Sequence, residues 1–330
     1  MKRLFRKFIW SLVPLIVLSL AVEMGLRVAK WPKATAQFDH NEPFWTVDPS
    51  LTAKDFPHKE ESGNFRVSTN NDGLRSVQTT PEKQPGEWRI AAMGCSTTFG
   101  WGVGDEQSYP ARLEQYIHKK GISNTTVING GQPGYTSFQG LWLWDSVLKN
   151  YYPDVVLIGF VVQDARKAAY TDKSQAILQR DYRFMKNNIF YQSRIYLGLR
   201  ALLGSVQIRA KERGEGDEGG VYRVPPQDYV DNIRSLVANI QKSGGTPILF
   251  GYPLEREGYT SKHRRILSAA ASQLNIDYMD PQPQMEQASR SKQYYFTNDR
   301  GHANAEGNDI IAQWVLEFLE QRNLLGADDG

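Results

Sequence analysis

The sequence predicts an α/β protein built on a doubly wound parallel sheet. From Trp88 to the C-terminus, short apolar runs alternate with stretches that have the hydrophobic spacing of amphipathic helices. Such alternation is typical of a parallel sheet with helices on both faces. The five predicted strands are "WRIAAMG", "TTVING", "PDVVLIGF", "TPILFGYP" and "IDYMD". Ligands bind beyond the carboxyl ends of the strands in such sheets, so a site is expected in the loops there.

The predicted helices lie between these strands and after the last one. "DEQSYPARLEQYIHKKG" spaces its apolar residues as a helix does, and Gly121 is a suitable C-terminal stop. In the predicted helix "SKHRRILSAAASQL", Arg264 and Arg265 are expected on the solvated face. The other predicted helices are "SFQGLWLWDSVLKN", "PPQDYVDNIRSLVANIQKSGG", "SKHRRILSAAASQL" and "NAEGNDIIAQWVLEFLEQRNLLG".

Three regions are predicted along the chain. Residues 1–29 form an N-terminal stub and a hydrophobic helix, residues 30–86 form a polar spacer with short strands, and residues 87–326 form the α/β domain. Within this domain, residues 165–222 interrupt the regular alternation with a predicted helix and the acidic loop "GEGDEGG". We expect this insertion either to cover the cleft or to elaborate the surface.

The N-terminal residues have the features of a membrane anchor. "MKRLFRK" carries four basic residues, and no charge follows from Phe8 to Val22. The apolar run reaches the roughly 20 residues of a membrane span if Glu23 lies at the interface. The positive-inside rule then places the body of the protein outside the cytoplasm, which is the periplasm if the source is a Gram-negative bacterium. An uncleaved anchor is the prediction, and a cleaved signal peptide or a core helix are the alternatives.

Composition narrows the classes of function. The formal net charge is only +3, and the sequence has no basic stripe with interleaved aromatic residues, so nucleic-acid binding is not predicted. The single cysteine cannot form an intrachain disulfide. The sequence has no His-Glu-x-x-His motif and no Cys/His cluster, so no metal and no cofactor are predicted.

Ser96 in "AAMGCSTTFGWG" is a candidate nucleophile. It follows the first strand at a strand-to-helix corner, where the free N–H groups of a helix N-terminus can stabilise an anion. A serine hydroxyl needs a base, usually histidine, and the histidine needs an orienting carboxylate. "NDRGHANAEGN" places Asp299 three residues before His302 on a loop ahead of the last helix. Taken alone, that fragment favours a helix cap with a solvated histidine.

Four sequence blocks in order resemble those of the SGNH hydrolases, also called the GDSL esterase/lipase superfamily. The resemblance covers about residues 87–325, and residues 70–76, "NNDGLRS", resemble a segment that precedes the domain in membrane-anchored members. The blocks, from nucleophile to histidine, are "GCSTTFGWG", "NGGQPGYTS", "GFVVQDA" and "DRGH".

This resemblance implies a catalytic triad of Ser96, His302 and Asp299. It also implies that the oxyanion is bound by the N–H groups of Ser96 and Gly134 and by the side chain of Gln163. The family usually has asparagine at this position, and the amide of Gln163 lies one methylene further out. The alternative is that Gln163 is a strand-end glutamine that bonds to a neighbouring loop, which leaves the N–H groups of Ser96 and Gly134 for the oxyanion.

Cys95 stands where the family usually has an aspartate that is not the triad acid. A thiol is intrinsically more nucleophilic than a hydroxyl, so Cys95 is a rival to Ser96. Neighbouring side chains at a strand end point in different directions, and only one can face His302. We therefore expect Cys95 to be a small buried side chain.

The fold that the resemblance implies is a flavodoxin-like, doubly wound sheet of five parallel strands flanked by helices and preceded by a transmembrane helix. The implied activity is that of a membrane-anchored serine esterase or deacylase. Its partners would be an acylated small molecule or saccharide and the lipid bilayer. The alternatives are an O-acyltransferase acting on envelope or exported polysaccharide, and a non-catalytic binding protein that keeps the fold.

Overall fold

A computed structural model describes residues 2–29, 31, 46–58, 63–76, 79–168, 170–176, 193–196, 198–199 and 220–326. The chain divides into two compact units. The first comprises Met1–Phe44 and Lys173–Val221, and the second comprises Trp45–Asp172 and Tyr222–Gly330. Most of the helix and acidic loop predicted within residues 165–222 lies outside the described residues.

In the first unit, helix α1 spans Lys2–Val28. Glu23 on α1 accepts hydrogen bonds from the backbone N–H groups of Arg194 and Ile195, at 2.9 and 3.0 Å, and from the hydroxyl of Ser193 at 3.0 Å. Within the described part of the chain, no helix combines the length and the apolar character that a bilayer crossing requires. The transmembrane helix predicted in residues 1–29 is not confirmed.

The second unit begins with a small hairpin. Strands β1 (Lys54–Pro57) and β2 (Asn64–Val67) pair in antiparallel orientation. Alternate residues of β2 are buried, and Phe65 and Val67 join a small apolar cluster with Phe99. The hairpin therefore packs its inner face against the α/β domain of the same unit.

The strands that follow β2 are β3 (Trp88–Gly94), β4 (Thr125–Gly131), β5 (Val155–Gly159), β6 (Lys167–Ala168), β7 (Val221–Tyr222), β8 (Thr246–Phe250) and β9 (Asp277–Met279). Five of them form the central parallel sheet, in the order β4-β3-β5-β8-β9. The chain order reverses between β3 and β5, which is the switch point of a flavodoxin-like sheet. The predicted five-stranded parallel sheet is confirmed.

Helices cover both faces of this sheet. The helices described after α1 are α2 (Ser96–Phe99), α3 (Tyr109–Lys119), α4 (Ser137–Ser146), α5 (Pro226–Lys242), α6 (Ser261–Leu274), α7 (Gln282–Ala288) and α8 (Ala305–Gln321). Helices α3 and α8 pack together on one face of the sheet, and α4, α5 and α6 pack on the other. Short 3-10 turns span Asp105–Gln107, Leu148–Tyr151 and Gly258–Thr260.

Strand β3 is buried on both faces, which explains its nearly continuous apolar sequence. Ile90 and Ala92 join the core beneath α3 and α8. Ala91 and Met93 join the core beneath α4, α5 and α6. The period-2 alternation of side chains along the strand therefore serves two separate apolar layers.

The basic helix α6 departs from the sequence prediction at Arg264. Its side chain is only 3% exposed, and Nη1 donates to Asp280 at 2.7 Å and to the carbonyl of Gly251 at 3.0 Å. The prediction of a solvated face was wrong for Arg264, because its guanidinium turns inward to pair with groups that follow β8 and β9. Arg265 is exposed.

The end of β4 requires glycine for steric reasons. A Cβ placed on Gly131 would lie 2.1 Å from the backbone nitrogen of Phe99 and 2.6 Å from its Cα. Such distances are far below van der Waals contact, and backbone atoms cannot move aside easily. The absence of a side chain at Gly131 thus allows the one-turn helix α2 to lie directly against the sheet.

Gly131→Ala is expected to lower the free energy of unfolding by about 1–3 kcal/mol, the usual cost of overpacking. Gly104→Ala is the matched control, because its added Cβ would meet its nearest neighbour, Gln107 Oε1, at 3.4 Å. That variant should stay within about 0.5 kcal/mol of the wild type. Urea unfolding of both variants tests the account, and wild-type stability of Gly131→Ala would contradict it.

Candidate active site

Ser96 is the first residue of α2, separated from the end of β3 by Cys95 alone. Cys95 precedes it in extended conformation, and the single turn of helix ends at Gly100 in the left-handed region with φ of 81°. The carbonyl of Ser96 accepts hydrogen bonds from the backbone N–H groups of Gly100 and Trp101, at 3.1 and 3.0 Å. The strand-to-helix corner predicted at Ser96 is therefore present.

Ser96, His302 and Asp299 form a continuous chain of contacts. His302 Nε2 lies 2.7 Å from Ser96 Oγ, and His302 Nδ1 lies 2.8 Å from Asp299 Oδ2. Because a carboxylate only accepts, Nδ1 carries a proton and Nε2 is left to accept from the serine hydroxyl. This is the arrangement that a serine nucleophile and its base require.

The thiol of Cys95 points away from this chain of contacts. Cys95 is 1% exposed, and its Sγ lies 3.2 Å from Thr97 Oγ1. It belongs to the apolar core that includes Tyr109 and Tyr252. The neighbours Cys95 and Ser96 thus face different environments, and only Ser96 contacts His302.

A second histidine, His58, adjoins the carboxylate of Asp299. His58 Nε2 lies 3.4 Å from Asp299 Oδ2, and the side chain is 2% exposed. Its ring packs against Phe296 with centroids 4.4 Å apart. This contact could not be predicted from the sequence, because His58 lies in the predicted spacer and no local pattern links it to Asp299. No group of three or more His, Cys, Asp or Glu residues in the described part of the chain is arranged to hold a metal ion.

Gly134 and Gln163 lie in the loops that follow β4 and β5, the two strands that flank β3. Because the strands are parallel, both loops lie at the carboxyl ends of the strands, where Ser96 also lies. Gly134 has a φ of 81°, which favours glycine. Gln163 is 9% exposed, and its Oε1 accepts a hydrogen bond of 3.0 Å from Arg223.

Arg75 of "NNDGLRS" holds the loop that follows Ser96. Its side chain is 1% exposed. Nη1 donates to the carbonyls of Phe99 and Gly100, both at 2.8 Å, and Nη2 donates to the carbonyl of Val103 at 2.7 Å. Burial is the main cause that lowers the pKa of Arg75. The segment "NNDGLRS" stands out in the sequence only for its resemblance, and in the structure its arginine bonds directly to the loop that follows Ser96 and α2.

Asp164, next to Gln163, is fully buried and contacts the start of α4. Its Oδ1 accepts a hydrogen bond of 2.9 Å from the backbone N–H of Ser137. Burial raises the pKa of Asp164 to about 7, and the nearby charge of Asp172 adds to the rise. The carboxyl is therefore protonated over much of the acidic range in the folded protein.

Residues 92–310 match the model of the GDSL-like lipase/acylhydrolase family. The match covers more than half of the chain, and the protein belongs to this family. It is therefore an enzyme of the ester-hydrolysing serine hydrolase class.

Solved structures similar to the chain have low sequence identity. A lipase/acylhydrolase from Enterococcus faecalis is 15% identical with a TM-score of 0.48, over 71% of this chain and 96% of that chain. The psychrotrophic esterase EstA from Pseudoalteromonas sp. is 17% identical with a TM-score of 0.47, over 71% of this chain and 98% of that chain. No curated protein matches the sequence. The family assignment rests on the family match.

Asp164→Asn should change how stability depends on pH. Between pH about 4 and 7 the folded wild type keeps a proton at Asp164 that the unfolded chain has lost, so its free energy of unfolding falls as the pH rises. The Asp164→Asn variant has no carboxyl group at this position, so its free energy of unfolding does not fall for this reason. Relative to wild type, its free energy of unfolding should rise by at most about 4 kcal/mol from pH 4 to pH 8, at about 1.4 kcal/mol per pKa unit.

Urea unfolding at a series of pH values measures this difference. Asp145→Asn, an exposed position on the same helix that Asp164 contacts, is the matched control. Its difference from wild type should stay nearly constant across the series. Parallel pH profiles for Asp164→Asn and wild type would contradict the assignment of a raised pKa.

Proposed function

We propose that this enzyme hydrolyses carboxylic esters through a Ser96–His302–Asp299 triad. The observation that carries the proposal is the unbroken contact chain from Asp299 Oδ2 through the ring of His302 to Ser96 Oγ. The burial of Cys95 in the core supports Ser96 as the nucleophile. The family match supports the class of bond that is broken.

The first step forms an acyl-enzyme. His302 Nε2 takes the proton of Ser96 Oγ as the oxygen attacks the ester carbonyl carbon. The carbonyl π electrons move to oxygen, and the resulting oxyanion accepts hydrogen bonds from the N–H groups of Ser96 and Gly134 and from the amide of Gln163. The tetrahedral intermediate then expels the alcohol, which leaves with the proton from His302.

The second step releases the acid. His302 takes a proton from water, the hydroxide attacks the acyl carbon, and the proton returns to Ser96 Oγ as the acyl–serine bond breaks. Throughout both steps, Asp299 keeps the proton on Nδ1 of His302 and stabilises the imidazolium that forms twice in each turnover.

The acyl group can come from a small molecule or from a saccharide. A sugar hydroxyl that replaced water in the second step would turn the same acyl-enzyme into an O-acyltransferase on envelope or exported polysaccharide. Product analysis with and without a sugar acceptor separates the two activities. If the enzyme is a hydrolase, free acid should form at the same rate with and without the sugar acceptor.

Ser96→Ala should lower kcat/KM for a short-chain p-nitrophenyl ester by about 10⁴-fold or more, because the nucleophile is removed. Cys95→Ser is the matched control at the neighbouring position and should keep kcat/KM within about 3-fold, because the buried thiol does not contact His302 and a serine hydroxyl can keep the contact with Thr97 Oγ1. Loss of activity in Cys95→Ser with activity retained in Ser96→Ala would overturn the proposal. Equal folding of both variants is checked by thermal unfolding.

Attachment to a bilayer, with the α/β domain outside the cytoplasm, is proposed from the sequence alone. The basic "MKRLFRK" and the uncharged stretch from Phe8 to Val22 support it. The full chain should then stay with membranes after a carbonate wash, whereas a chain that lacks residues 1–29 should be released. Recovery of the full chain in the soluble fraction after the carbonate wash would contradict the proposal.

A further inference from the structure

One guanidinium group contacts both loops that carry the proposed oxyanion donors. Arg223 Nη1 donates to the carbonyl oxygen of Gly134 at 2.8 Å and to Oε1 of Gln163 at 3.0 Å. Arg223 lies far from both residues in sequence and outside all four blocks of the family resemblance. A single side chain thus ties the loop after β4 to the loop after β5.

Arg223 is itself fixed by a buried carboxylate. Its Nε and Nη2 donate to the two oxygens of Asp172 at 3.0 and 2.8 Å, a bidentate pair that sets both position and plane of the guanidinium. The side chain of Asp172 is 1% exposed and also accepts from Thr136 Oγ1 at 2.7 Å. The backbone of Arg223 is held too, because its carbonyl accepts from the N–H of Asp172 at 2.8 Å.

The contact decides which end of the Gln163 amide faces away from Arg223. A guanidinium has five donors and no acceptor, so only the amide oxygen of Gln163 can face it. The amide nitrogen is left on the opposite side, and it donates to no acceptor among the described residues. A cation on the amide oxygen also polarises the group, which makes its N–H bonds stronger donors.

We propose that Arg223 is a positioning residue that holds the Gln163 amide with its nitrogen directed to the oxyanion and aligns Gly134 beside it. This inference rests on the proposed function, because it assigns Gln163 to the oxyanion. It also gives a fixed direction to the glutamine side chain, which is one methylene longer than asparagine. The longer side chain has one more free torsion, and the bond to Arg223 removes that freedom.

A double-mutant cycle on the full chain tests this role. Arg223→Met should lower kcat for a p-nitrophenyl ester by about 10²-fold while KM changes less than about 3-fold, because the donors act on the transition state. In the Gln163→Ala background, the same change should cost less than about 10-fold, because most of the effect passes through Gln163. Equal factors in the two backgrounds would overturn the proposal.

A fold defect is separated from this role by two further variants. Arg223→Met leaves the buried Asp172 unpaired, so Arg223→Met/Asp172→Asn removes both charges and should show the same loss of kcat with a thermal unfolding midpoint near that of the wild type. Arg234→Met removes an exposed guanidinium from α5 and should leave both kcat and the midpoint unchanged. Wild-type kcat in the charge-free double variant would also overturn the proposal.

The wild type and Ser96→Ala complete the set and separate this proposal from the function on which it rests. Activity in the wild type and none in Ser96→Ala means that the serine mechanism holds, so an additive Arg223 effect then counts against Arg223 alone. If the wild type hydrolyses the ester no faster than Ser96→Ala, both the serine mechanism and the role of Arg223 are overturned.

Discussion

The contact between His302 Nε2 and Ser96 Oγ is the constraint on which the site depends. It is 2.7 Å long and joins residues 206 positions apart. Ser96 reaches its place because β3 ends against the close-packed glycine of β4, which lets α2 turn directly over the sheet. His302 reaches its place through the loop ahead of α8, where its backbone N–H donates to the carbonyl of Asp299 at 3.1 Å. Two separate local structures must therefore form before the hydroxyl of Ser96 meets the imidazole of His302.

Three guanidinium groups, of which Arg75 and Arg264 are buried and Arg223 is 16% exposed, hold backbone segments near the carboxyl ends of the strands. Arg223 and Arg264 donate to main-chain carbonyls in loops that follow strands of the sheet, and Arg75 donates to carbonyls in the loop that follows α2. Such carbonyls have no partner in a regular helix or strand, and leaving them unpaired in the interior costs free energy. Arginine suits this task because it offers several donors in a fixed plane. Charge-assisted bonds between distant segments thus fix the positions of these carbonyls.

The sheet could be predicted because its strands are buried on both faces and show in the sequence as short apolar runs. "WRIAAMG" and β3 coincide, and Ser96 and His302 stand out once the four blocks are taken together. The contacts of His58 and Arg223 could not be predicted, because bonds between segments far apart in sequence leave no periodic pattern. Arg264 was predicted wrongly for the same reason, since its partners come from loops after other strands.

Labelling with a fluorophosphonate probe, followed by peptide mass spectrometry, is the most direct test that Ser96 is the nucleophile and that His302 activates it. The account predicts a covalent adduct on Ser96 that forms at least about 10²-fold more slowly in His302→Ala, because general-base activation contributes a factor of about 10²–10⁴. An adduct on Cys95, or labelling of Ser96 at the same rate without His302, would contradict the account.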